Sequence, residues 1–297
     1  MRILVTGSHG LIGSALVAAL EREGHDVVRV VRGPAGPGEV HWDPAAGELD
    51  LSGTDKIDAA VHLAGEGIAE KRWTSEQKRR IVDSRVASTD LLARSLAAAG
   101  HRPSVLVSGS AVGIYGDRGD VVIDEDSPAG AGFLAEVCRQ WEAATAPAAD
   151  AGIRVVHARS GIVLSPEGGA LKRQLPLFKL GIGGRLGSGR QYQSWIALDD
   201  EVGAIMFALE NESLSGPVNL TAPHPVTNAE FTKTLGAVLG RPTVVAAPKF
   251  GLSAVLGHEL VSEMLLAGQR VMPMRLLGSG YTFRYPELEP ALRSLLV

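Results

Sequence analysis

Residues 2–13 read Arg2-Ile3-Leu4-Val5-Thr6-Gly7-Ser8-His9-Gly10-Leu11-Ile12-Gly13. A short apolar run, a turn with glycines at 7, 10 and 13, and an opening helical pattern make the strand–turn–helix grammar of a dinucleotide pyrophosphate site. Gly7 allows the tight turn, Gly10 lets backbone amides reach the diphosphate, and Gly13 lets the helix pack closely on the strand. The first helical turn adds free N–H groups and a partial positive charge, both suited to an anion. Glycines at this spacing also occur by chance, so the flanking pattern has to carry the assignment.

Working outward, Leu11, Ile12, Ala15, Leu16, Ala19 and Leu20 fall on i, i+3, i+4 spacing, and Gly24 closes the stripe. Asp26-Val27-Val28-Arg29-Val30-Val31 follows as a nearly continuous β-branched strand, the pattern of a parallel strand covered on both faces. Arg32 stands at the end of that strand, where the adenosine ribose is expected. An acid there would hold a free 2′-hydroxyl, whereas an arginine suits a 2′-phosphate. The expectation is NADP over NAD; a solvated surface arginine is the plainer alternative.

The alternation continues through a strand at 58–65, a helix at 74–99 stopped by Gly100, and a strand at 104–110. A helix over 133–149 and a strand over 153–158 extend it. Strands and helices in strict alternation predict an α/β fold of the Rossmann type, a doubly wound parallel sheet with ligands at the strand C-terminal ends. Beyond residue 165 the regularity breaks into a glycine-rich loop at 181–189, the segment Ser194–Asp200 and a tail rich in Leu, Met and Pro. We read 1–165 as a nucleotide-binding Rossmann domain. Residues 166–297 then form a smaller C-terminal substrate-side lobe interleaved with late sheet strands, its tail spanning 248–297.

Composition narrows the partners. Among 297 residues, 45% are apolar and 21% charged, as in an ordinary globular protein with a sizeable core. A net charge of −4 and a pI near 6.1 argue against nucleic acid or an anionic membrane surface as the main partner. The single cysteine, Cys138, excludes an internal disulfide and suits a reducing cytoplasm. The apolar start from Met1 to Leu20 is broken by the three glycines and lacks a small-residue cleavage region after it, so no secretion signal is expected.

Five ordered motifs, TGSHGLIG (6–13), DAAVHLAG (58–65), VSGSAVGIYGD (107–117), RSGIVL (159–164) and SWIALDD (194–200), resemble the extended short-chain dehydrogenase/reductase superfamily over nearly the whole chain. More narrowly, GFLAEVCRQWE (132–142), GSGRQYQSWI (187–196) and QRVMPMRLLGSGYTFRYPEL (269–288) are similar to its atypical "epimerase family protein" subgroup. Members of that subgroup generally have no assigned substrate, and some carry a cell-division-inhibitor label. The resemblance implies an NADP site. Gly7, Gly10 and Gly13 would meet the pyrophosphate and Arg32 the 2′-phosphate, with Ser8, His9, Leu11, Ile12 and Val31 as further cofactor contacts. Leu63 and Ala64 would flank the adenosine-side ribose, with Gly65, Arg85 and Ser108 as further contacts.

Oxidoreductases of the superfamily carry a Tyr-x-x-x-Lys pair, in which the lysine one turn away lowers the phenol pKa so that a proton can move. None of the four tyrosines here has a lysine four residues on. The segment in question places Phe133 at the tyrosine position and Val137 at the lysine position. Ser110, near the superfamily's serine position, and Tyr115, five residues further, are the candidate catalytic residues. Turn stabilisation and packing are the plainer roles for them. Glu142 is a candidate general acid, whereas Cys138 reads as a small core residue. His62 has no second ligand at metal spacing, so no metal is expected. Lys71, Arg72 and Trp73 make either an anion-binding patch or a solvated loop. Trp195 reads as a packing anchor, with Arg185, Arg190 and Gln193 as candidate substrate contacts.

Two functions follow. One is an NADP-dependent oxidoreductase or epimerase on a small polar molecule, sugar-like by fold analogy, with a displaced proton donor. The other is a non-catalytic NADP-binding regulator or partner protein, linked by the subgroup label to cell division.

Overall fold

In β1 (Arg2–Thr6) four consecutive residues, Ile3 to Thr6, are fully shielded, which only a strand covered on both faces requires. The computed structural model describes residues 1–51 and 53–297. From β1 the chain turns into α1 (Leu11–Arg22) and returns as β2 (Asp26–Val31), completing one βαβ unit. An edge hairpin of β3 (Glu39–Asp43) and β4 (Glu48–Leu49) comes next, then β5 (Ala59–His62), α2 (Ser75–Ala98) and β6 (Val105–Ala111). The short β7 (Val122–Ile123), α3 (Phe133–Ala143), α4 (Ala146–Asp150), β8 (Arg154–Ser160) and β9 (Ile162–Leu164) close the first half.

The second half holds α5 (Gly169–Lys179), β10 (Gly184–Leu186), β11 (Tyr192–Gln193), β12 (Trp195–Ala197), α6 (Leu198–Glu210) and β13 (Gly216–Leu220). After these come β14 (Val226–Thr227), α7 (Asn228–Leu239), β15 (Val245–Ala247), α8 (Lys249–Leu256), β16 (Arg270–Val271) and a C-terminal helix, Leu288–Leu296.

Eight strands form one sheet in the order β4-β3-β2-β1-β5-β6-β8-β13, parallel except for the β3–β4 hairpin. This is the Rossmann-type doubly wound arrangement expected from the alternation. The order reverses between β1 and β5, so a crevice opens there at the strand C-terminal ends. Period-two alternation divides the strands between two cores. Ile3, Val5, Val61, Val107 and Val156 face α1 and α6, while Leu4, Val28, Ala60 and Leu106 face α2. β13 and α6 both belong to these layers although they come late in the chain.

A third core, Leu164, Leu171, Phe178, Trp195, Phe231 and Leu235, joins α5, α7 and the C-terminal helix into a lobe over one end of the sheet. The lobe is stitched by short pairs: β9 with β12, β10 with β15 and β7 with β16 parallel, β11 with β14 antiparallel. The helix expected over 133–149 is two helices. α3 ends at Ala143, and α4 restarts at Ala146 with Pro147 in its first turn, where a missing N–H costs nothing. Among the described residues no helix is long and apolar enough to cross a membrane.

Candidate dinucleotide site

The turn after β1 is built by contacts that only glycine permits. A Cβ on Gly13 would lie 2.1 Å from the Gly7 carbonyl oxygen, and one on Gly7 would lie 2.7 Å from the Leu63 backbone. Gly7 also has φ of +69°, in the left-handed region. These approaches draw α1 and the β5 end onto the turn. α1 begins at an N-cap glycine, Gly10, and no side chain caps it. Its first-turn N–H groups are therefore left for an anion. Ser8 is buried in the turn, while His9 and Gly10 are exposed and Leu11 and Ile12 open the helix half-buried. Val31 ends β2 half-buried, and the exposed Arg32 makes no ion pair among the described residues.

Thr6, which no sequence signal singles out, ties this turn to β5. Its hydroxyl oxygen accepts the N–H groups of Leu63 (3.2 Å) and Ala64 (3.3 Å) and lies 2.7 Å from His62 Nδ1. The Leu63 and Ala64 amides are thus committed, and a ligand flanked by those residues meets their carbonyls and side chains. His62 is fully buried, with Nε2 3.3 Å from Ser88 Oγ. Burial, helped by the Arg85 charge, pushes its pKa down to about 3, so the ring is neutral and structural, as expected of a core histidine.

At the β6 end, Ser110 Oγ donates to Glu142 Oε1 at 2.6 Å. Arg159 donates to both Glu142 oxygens at 2.8 Å and, through Nη1, to the Tyr115 hydroxyl at 2.9 Å. Tyr115 in turn donates to Asn219 Oδ1 at 2.8 Å. Burial works to raise the Glu142 pKa, but the Arg159 pair outweighs it and holds the group below the usual carboxylate range. Glu142 is therefore an ionised acceptor, which corrects the expectation of a general acid. Tyr115 is fully buried with its oxygen occupied on both sides, and burial raises its pKa. Tyr115 and Ser110 thus belong to one buried network held by Glu142 and Arg159. Ser108 is also buried, its hydroxyl reaching, among the described residues, the Gly109 carbonyl at 3.4 Å.

α3 packs on β6 and on the turn that follows it. A Cβ on Gly109 would lie 3.0 Å from the Trp141 ring, and one on Gly113 would lie 3.5 Å from Leu134 Cβ and 4.0 Å from Cys138 Sγ. These two small positions admit the large side chains and set the phase of the helix. Leu134, Cys138 and Trp141 hence face β6 and the turn after it, and Val137 is buried as well. Phe133 instead meets Trp73 edge-on at 5.1 Å, with the Lys78 ammonium 4.8 Å from its ring centre. Burial, with the Glu142 charge beside it, pushes the Cys138 thiol up to about 12. It is an inert core group.

Arg85 lies on α2 under the loop after β5. Its Nη1 donates to the Glu66 and Ile81 carbonyls, and its guanidinium would lie 3.3 Å from a Cβ on Gly65. In the lobe, Trp195 is fully buried and donates Nε1–H to the His224 carbonyl, the anchoring role expected of it. Arg185 and Arg190 are exposed and Gln193 is half-buried. Lys71 lies 3.9 Å from Glu66. Among the described residues, Glu23, His25 and Glu210 alone group their ligand atoms within 4.8 Å of one another, and His25 Nδ1 already faces the chain's terminal amine at 3.1 Å.

One carboxylate invisible to local pattern shapes the site. Glu263 accepts the first two α3 amides, Phe133 and Leu134, each at 3.0 Å, although it lies 130 residues from Phe133 in the chain. Lys78 also pairs with Glu259 of the same segment.

A doubly wound sheet whose switch point carries an uncapped, glycine-built helix start defines a Rossmann-type protein of the short-chain dehydrogenase/reductase class. The chain belongs to the NAD dependent epimerase/dehydratase family, whose profile matches residues 3–220, and residues 247–295 match a domain of unknown function, DUF1731. It is 49% identical over 291 residues to the epimerase family protein Mb2239 of Mycobacterium bovis, covering 98% of this chain and 96% of that one. The crystal structure of human epimerase family protein SDR39U1 (isoform 2) with NADPH is 40% identical, with a TM-score of 0.92 and 99% of each chain covered. A nucleoside-diphosphate sugar epimerase from Corynebacterium glutamicum is also 40% identical, with a TM-score of 0.82 over all of this chain and 58% of that one.

Proposed function

We propose that this protein is an NADP(H)-dependent oxidoreductase or epimerase acting on a small polar substrate without a Tyr–Lys pair. The observation that carries the reading is the uncapped α1 start, with glycine approaches no other residue allows and an unpaired Arg32 at the next strand end. The residues fit the cofactor: the turn from Gly7 to Gly13 would hold the pyrophosphate, and Arg32 the 2′-phosphate. The NADPH in the human relative's structure supports the same choice. Bound there, the dinucleotide supplies a hydride donor or acceptor.

The chain's own part centres on Ser110. Its proton points at the ionised Glu142, so its remaining lone pairs are free to accept a hydrogen bond from a substrate hydroxyl. Arg159 fixes Glu142 bidentately and so fixes that orientation. Substrate enters from the lobe formed by 166–297, where Arg185, Arg190 and Gln193 are the polar contacts we assign to it. A reducing cytoplasm suits a protein whose lone cysteine is buried and inert.

The test is NADPH consumption against a panel of aldehydes, ketones and keto-sugars, followed at the nicotinamide absorbance. Ser110→Ala should lower turnover at least about 100-fold while leaving NADPH affinity within about twofold. Equal turnover in the variant would remove Ser110 from the chemistry.

The burial of Tyr115, with Leu134 and Cys138 on the α3 face, favours a second reading in which the protein binds NADP(H) without turning it over and presents it to a protein partner. Under that reading no panel member is reduced, and a partner is retained on the immobilised protein only when NADPH is present.

A further inference from the structure

Charge is divided unevenly along this chain. Residues 168–198 and 231–258 together carry eight of the 29 lysines and arginines and none of the 33 aspartates and glutamates. The rest of the chain therefore holds 21 cations against 33 acids, and the net charge of −4 averages over two regions of opposite sign. Both cationic segments belong to the lobe that covers one end of the sheet. None of their eight cations forms an ion pair among the described residues, whereas α2 alone pairs Arg80 with Glu76 and Arg94 with Asp90.

The same two segments, about a fifth of the chain, hold seven of the 13 exposed large apolar side chains among the described residues. Topology brings most of them together. β10 and β15 are parallel neighbours with Gly184 opposite Val245, so Ile182 and Val244, which lead into them, stand at the same end of the pair. The turn before β10 closes on α5 through the Ile182 N–H and the Leu177 carbonyl, at 3.0 Å. A Cβ on Gly181 would lie 3.6 Å from the Pro242 ring, which sets the stretch 179–182 beside 241–244. Leu180 is 74% exposed and Val244 89%, each in a connection between elements, with the exposed cations Lys179 and Arg241 flanking them. Beyond the other end of β15, Phe250 stands 86% exposed in the first turn of α8, next to the exposed Lys249.

We propose that this end of the lobe docks on the surface of an anionic lipid bilayer. Leu180, Ile182 and Val244 enter the boundary between headgroups and acyl chains, where their apolar area leaves water. The unpaired cations around them face the anionic headgroups. Exposed apolar patches mark protein contacts as well as membrane contacts, and the chemistry of this one decides between them. Protein interfaces are depleted in lysine and anchored by aromatic groups set in pockets. Here Lys179 and Lys249 stand among aliphatic tips on connecting turns, with no acid in either segment to serve a mixed-charge partner. A bilayer asks only for apolar insertion and opposite charge. The chain's net charge counts against an anionic membrane for the molecule as a whole, and this face has the opposite sign. The proposal is independent of the cofactor reading, so NADPH affinity serves as a control for folding.

Co-sedimentation of the full chain with vesicles of phosphatidylcholine, alone or with about one third phosphatidylserine, tests it. The wild type should partition onto the anionic vesicles at least about tenfold more strongly than onto the neutral ones, and lose most of that preference at about 0.5 M salt. Lys179→Glu with Arg241→Glu should lower partitioning about tenfold, and Leu180→Ser with Val244→Ser about as much. All four positions are exposed, so Tm should stay within about 2 °C of the wild type in both pairs. Should one pair lose stability, the other decides. Binding to neither vesicle, or to both alike, overturns the proposal, as does anionic binding that survives both pairs of substitutions. Loss on charge reversal with full retention by the serine pair also overturns it, because the apolar tips then insert nowhere. A wild type that ignores vesicles but is held by immobilised polyglutamate gives the face to an acidic protein instead. One that ignores vesicles but self-associates through these residues in sedimentation velocity gives it to a second copy of this chain.

Discussion

Two helices in this protein start alike and are completed differently. α1 and α3 both begin at an N-cap glycine, Gly10 and Gly132, and neither has a cap from its own first turn. At α3 the chain supplies the missing anion itself: the Glu263 carboxylate accepts the first two amides. At α1 no described residue does so, and the N–H groups remain open beside the strand crevice. The two starts have the same electrostatics, a partial positive charge with orphan donors. They differ in whether the anion is built in or has to arrive. Permanent closure makes α3 a structural element that locks the C-terminal segment to the Rossmann layers, while the open end of α1 is the one we propose for binding.

Closing the open start should have the largest effect. Gly13→Ala puts a methyl 2.1 Å from the Gly7 carbonyl oxygen, so either the turn or α1 must move. We expect no measurable NADPH binding by titration calorimetry, with circular dichroism reporting whether the fold survives. Retained affinity would mean that the turn does not hold the pyrophosphate.

Opening the closed start should cost stability rather than binding. Glu263→Ala removes two charge-assisted hydrogen bonds and a helix-dipole partner, worth together about 2–4 kcal/mol. Urea denaturation should show that loss, and inclusion of a simple anion such as sulfate should recover part of it. An unchanged denaturation midpoint would show that the α3 cap is incidental.

A third helix start sharpens the contrast in a smaller way. α6 places Asp199, Asp200 and Glu201 in its own first turn. Asp200 accepts the Arg284 and Tyr285 amides, at 2.7 and 2.8 Å, and so ties down the tail. Glu201 is fully buried with Oε1 held by Ser160 and Oε2 unpartnered, and burial pushes its pKa up to about 8. Here desolvation beats the helix dipole. The folded state then holds a proton that the unfolded chain releases above its ordinary carboxyl pKa of about 4.3, so stability declines as pH rises from there to about 8. Glu201→Gln should flatten that decline, its Tm advantage over the wild type growing from pH 5 to pH 8. A constant difference across that range would show that Glu201 titrates normally.

Legibility in the sequence followed the range of the interaction. The β1–turn–α1 unit, the alternation through β8 and the place of Arg32 were all readable, because periodicity and glycine spacing are local. Helix phase was not. Gly109 and Gly113, at least twenty residues before α3, are what Trp141, Leu134 and Cys138 pack against. Tyr115 looked like a pocket residue from its distance along the chain. Arg159 and Asn219, 44 and 104 residues away, took up its hydroxyl.

By itself, then, the amino-acid sequence determined a doubly wound sheet, a glycine turn between β1 and α1, and four tyrosines none of which has a lysine four residues on. Each of these depends on residue type and short spacing, which backbone sterics and solvent exclusion convert directly into structure. Tertiary structure alone decided which helix start stays open, that Glu142 is ionised against Arg159, and that Arg85 stands above Trp141. Those outcomes depend on which charges meet and which are desolvated once distant segments pack, and no local pattern records such meetings.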